Sequence, residues 1–365
     1  MANQNQTFGN FEVKGFITIT PDTFQIDLKG KNTPTWNYSR INMKMEDGNG
    51  KSFYLNAQDG FDSINGKTIF AQIKDSKEQL QIAFADRNNS EILSYVDESS
   101  YIRVALRKVE KSEGKKEWEY NNFLTLYDAI NFLKPRLETG MKLSVWGRTK
   151  YSPYNDSLNK EFQIQSIYLL PEDDTTTLGF KFYQNVLLTT ESLIDDKWEE
   201  EGIATLKAKV IQKVKKKLTV LHIPLVIRST PENKEKVRSV IEKFYKVDGD
   251  NVRRIRLEGK YSVGYVSGQV KEEDFPLEVI ELINDGIYTK EEVLKMYVNR
   301  DYVDEMTVIR PVVNKDRDTN KIKADYSDTE YTLDDLNNLD KEPEPVVIAS
   351  NQLKDDDFSF LDELE

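Results

Sequence analysis

The sequence contains no cysteine and only one histidine, His222. This composition excludes disulfide bonds, thiol nucleophiles, zinc sites built from cysteine and histidine, and most catalytic triads. His222 lies in the apolar run LTVLHIPLV, and we interpret it as a structural residue rather than a catalytic one. Carboxylates spaced on rigid elements, as a nuclease needs, are also missing. We therefore expect a protein that is not an enzyme and that uses neither a cofactor nor a metal.

Long apolar runs are missing as well. No stretch of about 18 apolar residues occurs, and no apolar segment lies near the N-terminus. The sequence therefore predicts neither a membrane span nor a secretory signal, and we expect a cytoplasmic protein. With 365 residues, 38% of them hydrophobic, the chain is long enough to form two or three domains with cores of their own.

The net charge of -12 is distributed unevenly along the chain. Residues 203–265 carry an excess of ten positive charges, whereas residues 328–365 carry an excess of eleven negative charges. The average charge therefore says little about the ligand, because one compact segment is strongly basic. A polyanionic partner is compatible with this distribution.

Residues 1–170 are predicted to form a mainly β domain. Short runs of alternating polarity recur there, and turn sequences such as EDGNGK separate them. One helix is predicted from Asp128 to Glu138, and Pro135 should kink or shorten it. Additional hairpins are expected to be inserted between about residue 68 and residue 126.

The rest of the chain divides into three further segments. Residues 171–202 are acidic and ambiguous in pattern, and we interpret them as a linker. Residues 203–313 contain strands, a helix that begins near Pro231, a further strand and C-terminal helices. Residues 314–365 are polar and then acidic, which predicts a disordered acidic tail.

In both folded units, strands are followed by one helix and then by further strands. This order fits the oligonucleotide-binding barrel (OB-fold), a five-stranded Greek-key barrel with its helix between the third and fourth strands. The predicted fold class is therefore mainly β with some α, comprising two OB-like barrels, helical elements and a disordered acidic C-terminal tail. The sequences VWGRTKYSPY (145–154) and LEGKYSVGY (257–265) resemble each other, which is compatible with either duplication or chance.

The run TWNYSRINMKM, residues 35–45, has two unlike faces. Ile41, Met43 and Met45 fall on one side of a strand with a period of two. The other side carries two aromatic and two basic side chains, namely Trp36, Tyr38, Arg40 and Lys44. Flat rings can stack on unpaired bases, at about 1–3 kcal/mol per base, while cations contact phosphates. The pattern predicts the second barrel strand of a binding face for single-stranded nucleic acid.

The run KLSVWGRTKY repeats this arrangement. Leu143 and Val145 point one way, and the opposite side carries Lys142, Trp146, Arg148 and Lys150. The following loop offers two more candidate contacts, Tyr154 and Lys160. The alternative is that Trp36 and Trp146 cover a domain interface or the inserted hairpins.

The basic second unit is predicted to supply phosphate contacts. Its candidate residues are Lys207, Lys209, Lys213, Lys215, Lys216, Lys217, Arg254, Arg256, Lys260, Tyr261 and Tyr265. Each cation placed on a phosphate releases counterions and makes the affinity depend on salt. The alternative is a solvated charged face without a ligand.

The C-terminal sequence is LKDDDFSFLDELE. Its stretch DDDFSF resembles the acidic, apolar-tipped C-terminus of bacterial and phage single-stranded DNA-binding proteins, and the whole chain is similar to a large phage-type member of that class. Five residues follow Phe360, whereas in the family the aromatic residue usually lies at or near the end. The resemblance implies that the tail recruits replication and recombination proteins through Asp355, Asp356, Asp357, Phe358, Phe360 and Leu361.

These observations favour a single-stranded DNA-binding protein of phage DNA replication, recombination or repair, located in the host cytoplasm. Two alternatives from other classes stay open: a virion structural or assembly protein, and a DNA-targeting subunit of a replication enzyme. The basic unit argues against the first, because a virion protein has no need for it. Metal-dependent turnover of DNA that a single carboxylate substitution abolishes would favour the second.

Overall fold

A computed structural model describes most of residues 5–340. Within that range the undescribed positions are 32, 34, 49–50, 64–66, 77, 111–115, 155–156, 216, 267–274, 290–292, 294–300 and 316–320. The described chain consists mainly of strands, and two groups of five strands each close into a barrel.

The first barrel lies in the N-terminal half of the chain. Its strands are β1 Gly9–Thr18, β3 Trp36–Glu46, β4 Ser52–Asp62, β11 Lys142–Tyr154 and β12 Ser157–Leu169. The hydrogen-bonded order β1-β3-β4-β12-β11 returns to β1, and every pair except β4–β12 is antiparallel. Helix α2, Leu126–Leu133, lies between the third and fourth barrel strands, as in an OB-fold.

The second barrel repeats this topology. Its strands are β13 Gly179–Leu188, β15 Ile203–Val214, β16 Lys217–Arg228, β17 Asn251–Val266 and β18 Asp301–Pro311. The order β13-β15-β16-β18-β17 returns to β13, and here β16–β18 is the parallel pair. Helix α4, Lys234–Val240, continues into a π-helical turn, Ile241–Tyr245. The predicted mainly β fold with OB-like barrels is confirmed.

The remaining elements are insertions and extensions. In the first barrel they are β2 Phe24–Lys29, β5 Thr68–Gln72, β6 Gln79–Ala83, α1 Ser90–Leu93, β7 Ile102–Ala105, β8 Lys108–Glu110, β9 Lys116–Trp118 and β10 Asn121–Phe123. After it come β14 Leu193–Ile194, α3 Trp198–Glu201, α5 Leu277–Asn284, β19 Val313–Lys315, β20 Ile322–Ala324, β21 Tyr326–Thr332 and α6 Leu333–Asp340. Two 3₁₀ turns occupy Phe84–Asp86 and Glu98–Ser100.

The second barrel begins at residue 179, within the segment 171–202 that the sequence suggested was a linker. Strand β13 alternates strictly over its first half, with Phe180 and Phe182 pointing into the core and Lys181 and Tyr183 pointing outward. The acidic residues on both sides of this strand dominate the average composition of the segment, which therefore did not indicate a strand. The alternation of apolar and polar residues with a period of two did indicate one.

The predicted helix from Asp128 to Glu138 is shorter and starts earlier than expected. Thr125 caps it through a hydrogen bond that its hydroxyl oxygen accepts from the Asp128 amide. The last helical residue is Leu133, because Pro135 lacks the amide hydrogen that the next hydrogen bond of the helix would need.

The described residues between 313 and 340 form regular structure, so the prediction of a disordered tail from residue 314 is wrong for this stretch. Strand β21 pairs with β17, with Tyr331 opposite Val252. Tyr331 of β21 and Leu336 of α6 are buried in a small apolar cluster against Leu187 and neighbouring residues of the second barrel. Because these apolar side chains are widely spaced among acidic residues, the average composition of the segment did not indicate a folded structure. The predicted tail tip lies outside the described residues.

Direct pairing of β1 with β13 joins the two barrels into one sheet. Phe11 lies opposite Phe182, and Val13 lies opposite Phe180. The ring centroids of Phe11 and Phe180 are 5.4 Å apart, and those of Phe162 and Phe180 are 4.6 Å apart. The interiors of both barrels therefore form one continuous apolar core.

A glycine at the same place in each barrel lets this core close. A Cβ at Gly147 would lie 2.6 Å from the Phe11 ring, and a Cβ at Gly259 would lie 2.2 Å from the Phe182 ring. A β-bulge accompanies each glycine, between Trp146 and Gly147 and between Glu258 and Gly259. Glycine is required at both sites because a ring occupies the space of the missing side chain.

Truncation after Asp325 is expected to destabilise the protein relative to truncation after Asp340. The longer variant keeps Tyr331 and Leu336, which are 4% and 2% exposed, and burial of such side chains contributes about 1.5–3 kcal/mol each. Urea unfolding should show a decrease of at least about 3 kcal/mol in the free energy of unfolding. Both variants lack residues 341–365, so the comparison isolates β21 and α6. Equal stabilities would contradict their assignment to the second barrel.

Candidate nucleic-acid interface

The outer face of β3 carries the aromatic and basic residues that the sequence placed there. Ser39, Ile41, Met43 and Met45 are buried in the barrel, whereas the alternate positions face outward. Trp36 is 36% exposed at the start of the strand. The four predicted outward residues of this strand, Trp36, Tyr38, Arg40 and Lys44, therefore share one side of the sheet.

The neighbouring strand β4 adds an aromatic residue that the sequence analysis missed. Tyr54 lies opposite Lys44 and is 71% exposed. Phe53 and Leu55, its neighbours in sequence, are buried. The alternation in SFYLNAQ was the available signal, since it places Tyr54 on the same outer side as Lys44.

Polar neighbours orient the two cations of this face. The Arg40 guanidinium donates two hydrogen bonds to Oε1 of Gln25, at 2.7 and 3.2 Å. The Lys44 ammonium lies 2.7 Å from the Glu46 carboxylate, and this hydrogen bond raises the pKa of Lys44. Arg40 keeps its full charge for a ligand, whereas Glu46 partly neutralises Lys44.

A cavity of about 460 Å³ adjoins this face. Tyr38 of β3 and Gln58 of β4 line it together with Arg148 and Lys150 of β11. Phe70, on the inserted hairpin, also lines it. The structure thus brings the cations of the second predicted strand beside an aromatic residue of the first.

Strand β11 has the predicted alternation. Trp146, Arg148 and Lys150 are exposed, and Leu143 and Val145 are buried. The extra residue of the bulge lies on β12, where the register passes from Ser166 to Ile164. The alternation of β11 therefore continues past Gly147, and Tyr151 points into the core.

Trp146 does not line the cavity beside Tyr38. It is 37% exposed, and its indole Nε1 donates a hydrogen bond to Oγ of Ser144 at 3.2 Å. Its ring is parallel to that of Tyr183 in the second barrel, with an interplanar angle of 3° and centroids 6.5 Å apart. The alternative in which this tryptophan lies at a domain interface therefore has structural support, although the ring is partly open to solvent.

Two of the predicted lysine contacts in the first barrel are ion-paired within the protein. Lys142 lies 3.6 Å from Oδ1 of Asp174, and Lys160 lies 2.5 Å from Oδ1 of Asp304. These partners were not predictable from the local pattern, because they are distant in sequence.

Two predictions in β17 also need correction. Arg254 is ion-paired with Asp325 at 3.0 Å and with Glu330 at 2.5 Å. Tyr261 is only 9% exposed and packs against Phe162 and Phe180. Its burial follows from the period of two, since it has the same parity as the buried Leu257.

The outer face of β15 and β16 is basic, and its described residues include no large aromatic side chain. Lys207, Lys213, Lys215 and Lys217 are exposed, and Lys209 is half-buried. His222 lies opposite Lys209 and is exposed, so it belongs to the outer face rather than to the apolar core. Arg256 and Lys260 face outward on β17. The remaining candidates fall outside the description of side chains: Tyr154, Lys216, Tyr265, Asp355, Asp356, Asp357, Phe358, Phe360 and Leu361.

No family model and no curated protein matches the sequence. Two solved structures of the single-stranded DNA binding protein from Thermus aquaticus are similar to this chain. The wild-type structure has a TM-score of 0.31, 10% identity, and coverage of 71% of this chain and 87% of that one. A deletion variant gives 0.30, 10%, 71% and 88%. The strand registers described above establish the two barrels.

Across the residues that the structure describes, no group of three or more acidic or histidine side chains is placed to hold a metal ion. No helix in this part of the chain is long and apolar enough to span a membrane.

A half-buried carboxylate, Asp59, also lines the cavity. It accepts a hydrogen bond from the Leu126 amide at 2.5 Å and thereby caps helix α2. Desolvation of the carboxylate, together with the smaller effect of the Asp128 charge, raises the pKa of Asp59 to about 6, although the hydrogen bond from Leu126 acts to lower it. The folded protein therefore holds this proton at a higher pH than the unfolded chain does. Stability consequently falls as the pH rises from the ordinary pKa of an aspartate to that of the folded state.

Replacement of Asp59 by Asn is expected to remove this decrease in stability with rising pH. The amide keeps an oxygen acceptor for Leu126 and needs no proton, so the free energy of unfolding should rise by about 2–3 kcal/mol near pH 7.5 and change little near pH 4. Urea unfolding at both pH values measures the difference, with the exposed Asp173→Asn as the matched control. An effect of equal size at both pH values would contradict the burial of an ionised Asp59.

Proposed function

We propose that this protein binds single-stranded DNA without sequence preference and without catalysis. The observation that carries the proposal is the outer face of β3 and β4, where Trp36, Tyr38 and Tyr54 lie among Arg40 and Lys44. Rings on this side of an OB barrel can stack on unpaired bases of any sequence, and the cations can contact phosphates. Duplex DNA offers no unstacked base to such a face.

The basic face of the second barrel supports the proposal through electrostatics. Exposed lysines on β15 and β16 lie at the strands that correspond to β3 and β4 in the first barrel. Their charge attracts phosphates although the whole chain carries -12. We infer a division of roles, with most base stacking on the first barrel and most phosphate contacts on the second.

The biological setting is proposed from the resemblance of the C-terminal sequence. We place the protein in phage DNA replication, recombination or repair within the host cytoplasm. The acidic segment that ends in DDDFSFLDELE would recruit replication and recombination proteins through the acidic and apolar residues named above. In this proposal the folded units are the two barrels, and the recruiting segment begins after α6.

Replacement of Trp36 and Tyr54 by Ala is expected to weaken binding to oligo-dT. Removal of two stacking surfaces at about 1–3 kcal/mol per base corresponds to at least a tenfold rise in Kd. Fluorescence anisotropy with labelled oligo-dT measures the change. Tyr95→Ala is the matched control, because this ring is 61% exposed and lies outside both barrel faces. Unchanged affinity in the double variant would show that stacking on β3 and β4 does not contribute to binding. Absence of binding by the unmodified protein would overturn the proposed function itself.

Replacement of Lys207 and Lys209 by Gln is expected to reduce the salt dependence of binding. The slope of log K against log salt should become shallower by about 0.7 for each phosphate that the variant no longer neutralises. Titrations at several salt concentrations give the slope, and Lys197→Gln, an exposed lysine outside this face, serves as the control. An unaltered slope would assign the β15–β16 lysines to a solvated surface.

A further inference from the structure

The junction between the barrels has an outer surface of its own. Because β1 pairs with both β11 and β13, and β13 pairs with β17, these four strands form one sheet across the junction. The inner side of this sheet is the shared core. We call the solvent side the junction face and define it by the outward residues of these strands together with Arg310, which lies opposite Glu258.

The strand register places aromatic and basic side chains of both barrels side by side on this face. Glu12 separates Trp146 of β11 from Lys181 of β13. Asn10 separates Arg148 from Tyr183 in the adjacent row. Each row therefore runs directly from the first barrel to the second.

The rings of the junction face are partly open to solvent. Trp146 and Tyr183 are parallel to within 3° although they stand on strands that are not neighbours. Phe8, just before β1, is 52% exposed, and the Arg148 guanidinium lies 5.8 Å from its ring centroid. Such an arrangement offers flat ring surfaces on which an unpaired base can stack, with a cation close to one of the rings.

Cations outnumber carboxylates among the described residues of the junction face. The carboxylates at the outward positions of these strands each have a partner: Glu12 lies 3.2 Å from Lys14, and Glu258 lies 2.8 Å from Arg310. Glu12 is also nearly buried. The face thus attracts anions although neighbouring acids lower its charge. Its cations include Lys14, Arg148, Lys181, Arg256, Lys260 and Arg310.

A cavity of about 270 Å³ lies at one end of the junction face. Glu12 and Asp47 line it, and Asp47 accepts a hydrogen bond from the Lys51 amide. At the other end of the face, Asp325 and Glu330 neutralise Arg254. The positive surface therefore runs from this cavity to the edge of the C-terminal segment. Four lysines also line the cavity, which we call the lysine cavity, namely Lys14, Lys51, Lys181 and Lys260.

We propose that the junction face is a separate contact surface for single-stranded DNA, which stacks a base on Trp146 and Tyr183 and holds backbone phosphate at the lysine cavity. The inference rests on the proposed function and deepens it, because it lets one strand of DNA pass from the first barrel to the second without leaving the protein. A purely structural role of the ring pair, as packing between barrels, is the competing explanation.

The experiment compares Trp146→Ala/Tyr183→Ala with the unmodified protein on oligo-dT of two lengths, about 10 and about 30 nucleotides, since one OB barrel engages about 4–16 nucleotides. The junction variant is expected to bind the longer oligonucleotide about tenfold or more weakly, so that the advantage of the longer over the shorter one shrinks. Trp36→Ala/Tyr54→Ala is expected to weaken binding of both lengths.

A second variant separates DNA contact from packing. Lys181→Gln/Lys260→Gln leaves the ring pair in place and should make the salt slope for the longer oligonucleotide shallower by about 0.7 per phosphate, with an unchanged melting temperature. Packing alone does not predict this change. If the ring variant fails to fold, the lysine variant still decides the question.

The outcomes distinguish the two proposals. Unchanged affinity and an unchanged salt slope in the junction variants, together with weakened binding by Trp36→Ala/Tyr54→Ala, would overturn the junction face and leave the proposed function intact. Absence of binding by the unmodified protein to either length would overturn both.

Discussion

The pairing of β1 with β13 is the contact on which the arrangement of the molecule depends. It turns two closed barrels into one sheet with a shared apolar interior, in which Phe162 and Phe180 pack edge to face. Main-chain hydrogen bonds along the full overlap of the strands fix the orientation of one barrel against the other. An outward residue in the first barrel therefore has a defined neighbour in the second. Flexible tethering of the barrels would give no such neighbours.

The period of two accounts for what the sequence predicted well. Residues 36–45 and 142–150 face the sides that their alternation indicated, because a strand with one buried side admits no other register. Tyr54 and Tyr183 follow the same rule and were accessible to it. Parity also places Tyr261 in the core, whereas its position among the cations of the basic second unit had suggested a contact with nucleic acid.

Long-range partners account for what the sequence could not predict. Alternation gives the side of the sheet on which a residue lies, but it does not give the residue that arrives from elsewhere in the chain. Arg254 is an outward cation by pattern and Lys160 was predicted to be a loop cation, yet Asp325 and Asp304 neutralise them across the fold. The acidic composition after residue 314 likewise concealed Tyr331 and Leu336, because two buried side chains scarcely change an average. Charge counts along a chain thus overestimate the field that a ligand meets.

The matched glycines define a pseudo-twofold axis. Phe11 and Phe182 hold equivalent positions in their barrels, since each covers the glycine of the fourth barrel strand, and they lie directly opposite each other in the β1–β13 ladder. Rotation by half a turn about that point exchanges Glu12 with Tyr183 and Asn10 with Lys181, and it carries one observed pair onto the other. An isologous contact of this kind is the geometry that two copies of a single-barrel subunit adopt when they associate as a symmetric dimer. The chain contains this dimer-like contact within one polypeptide, yet its two halves are not equivalent, because the outer face of β3 and β4 carries rings and that of β15 and β16 carries lysines.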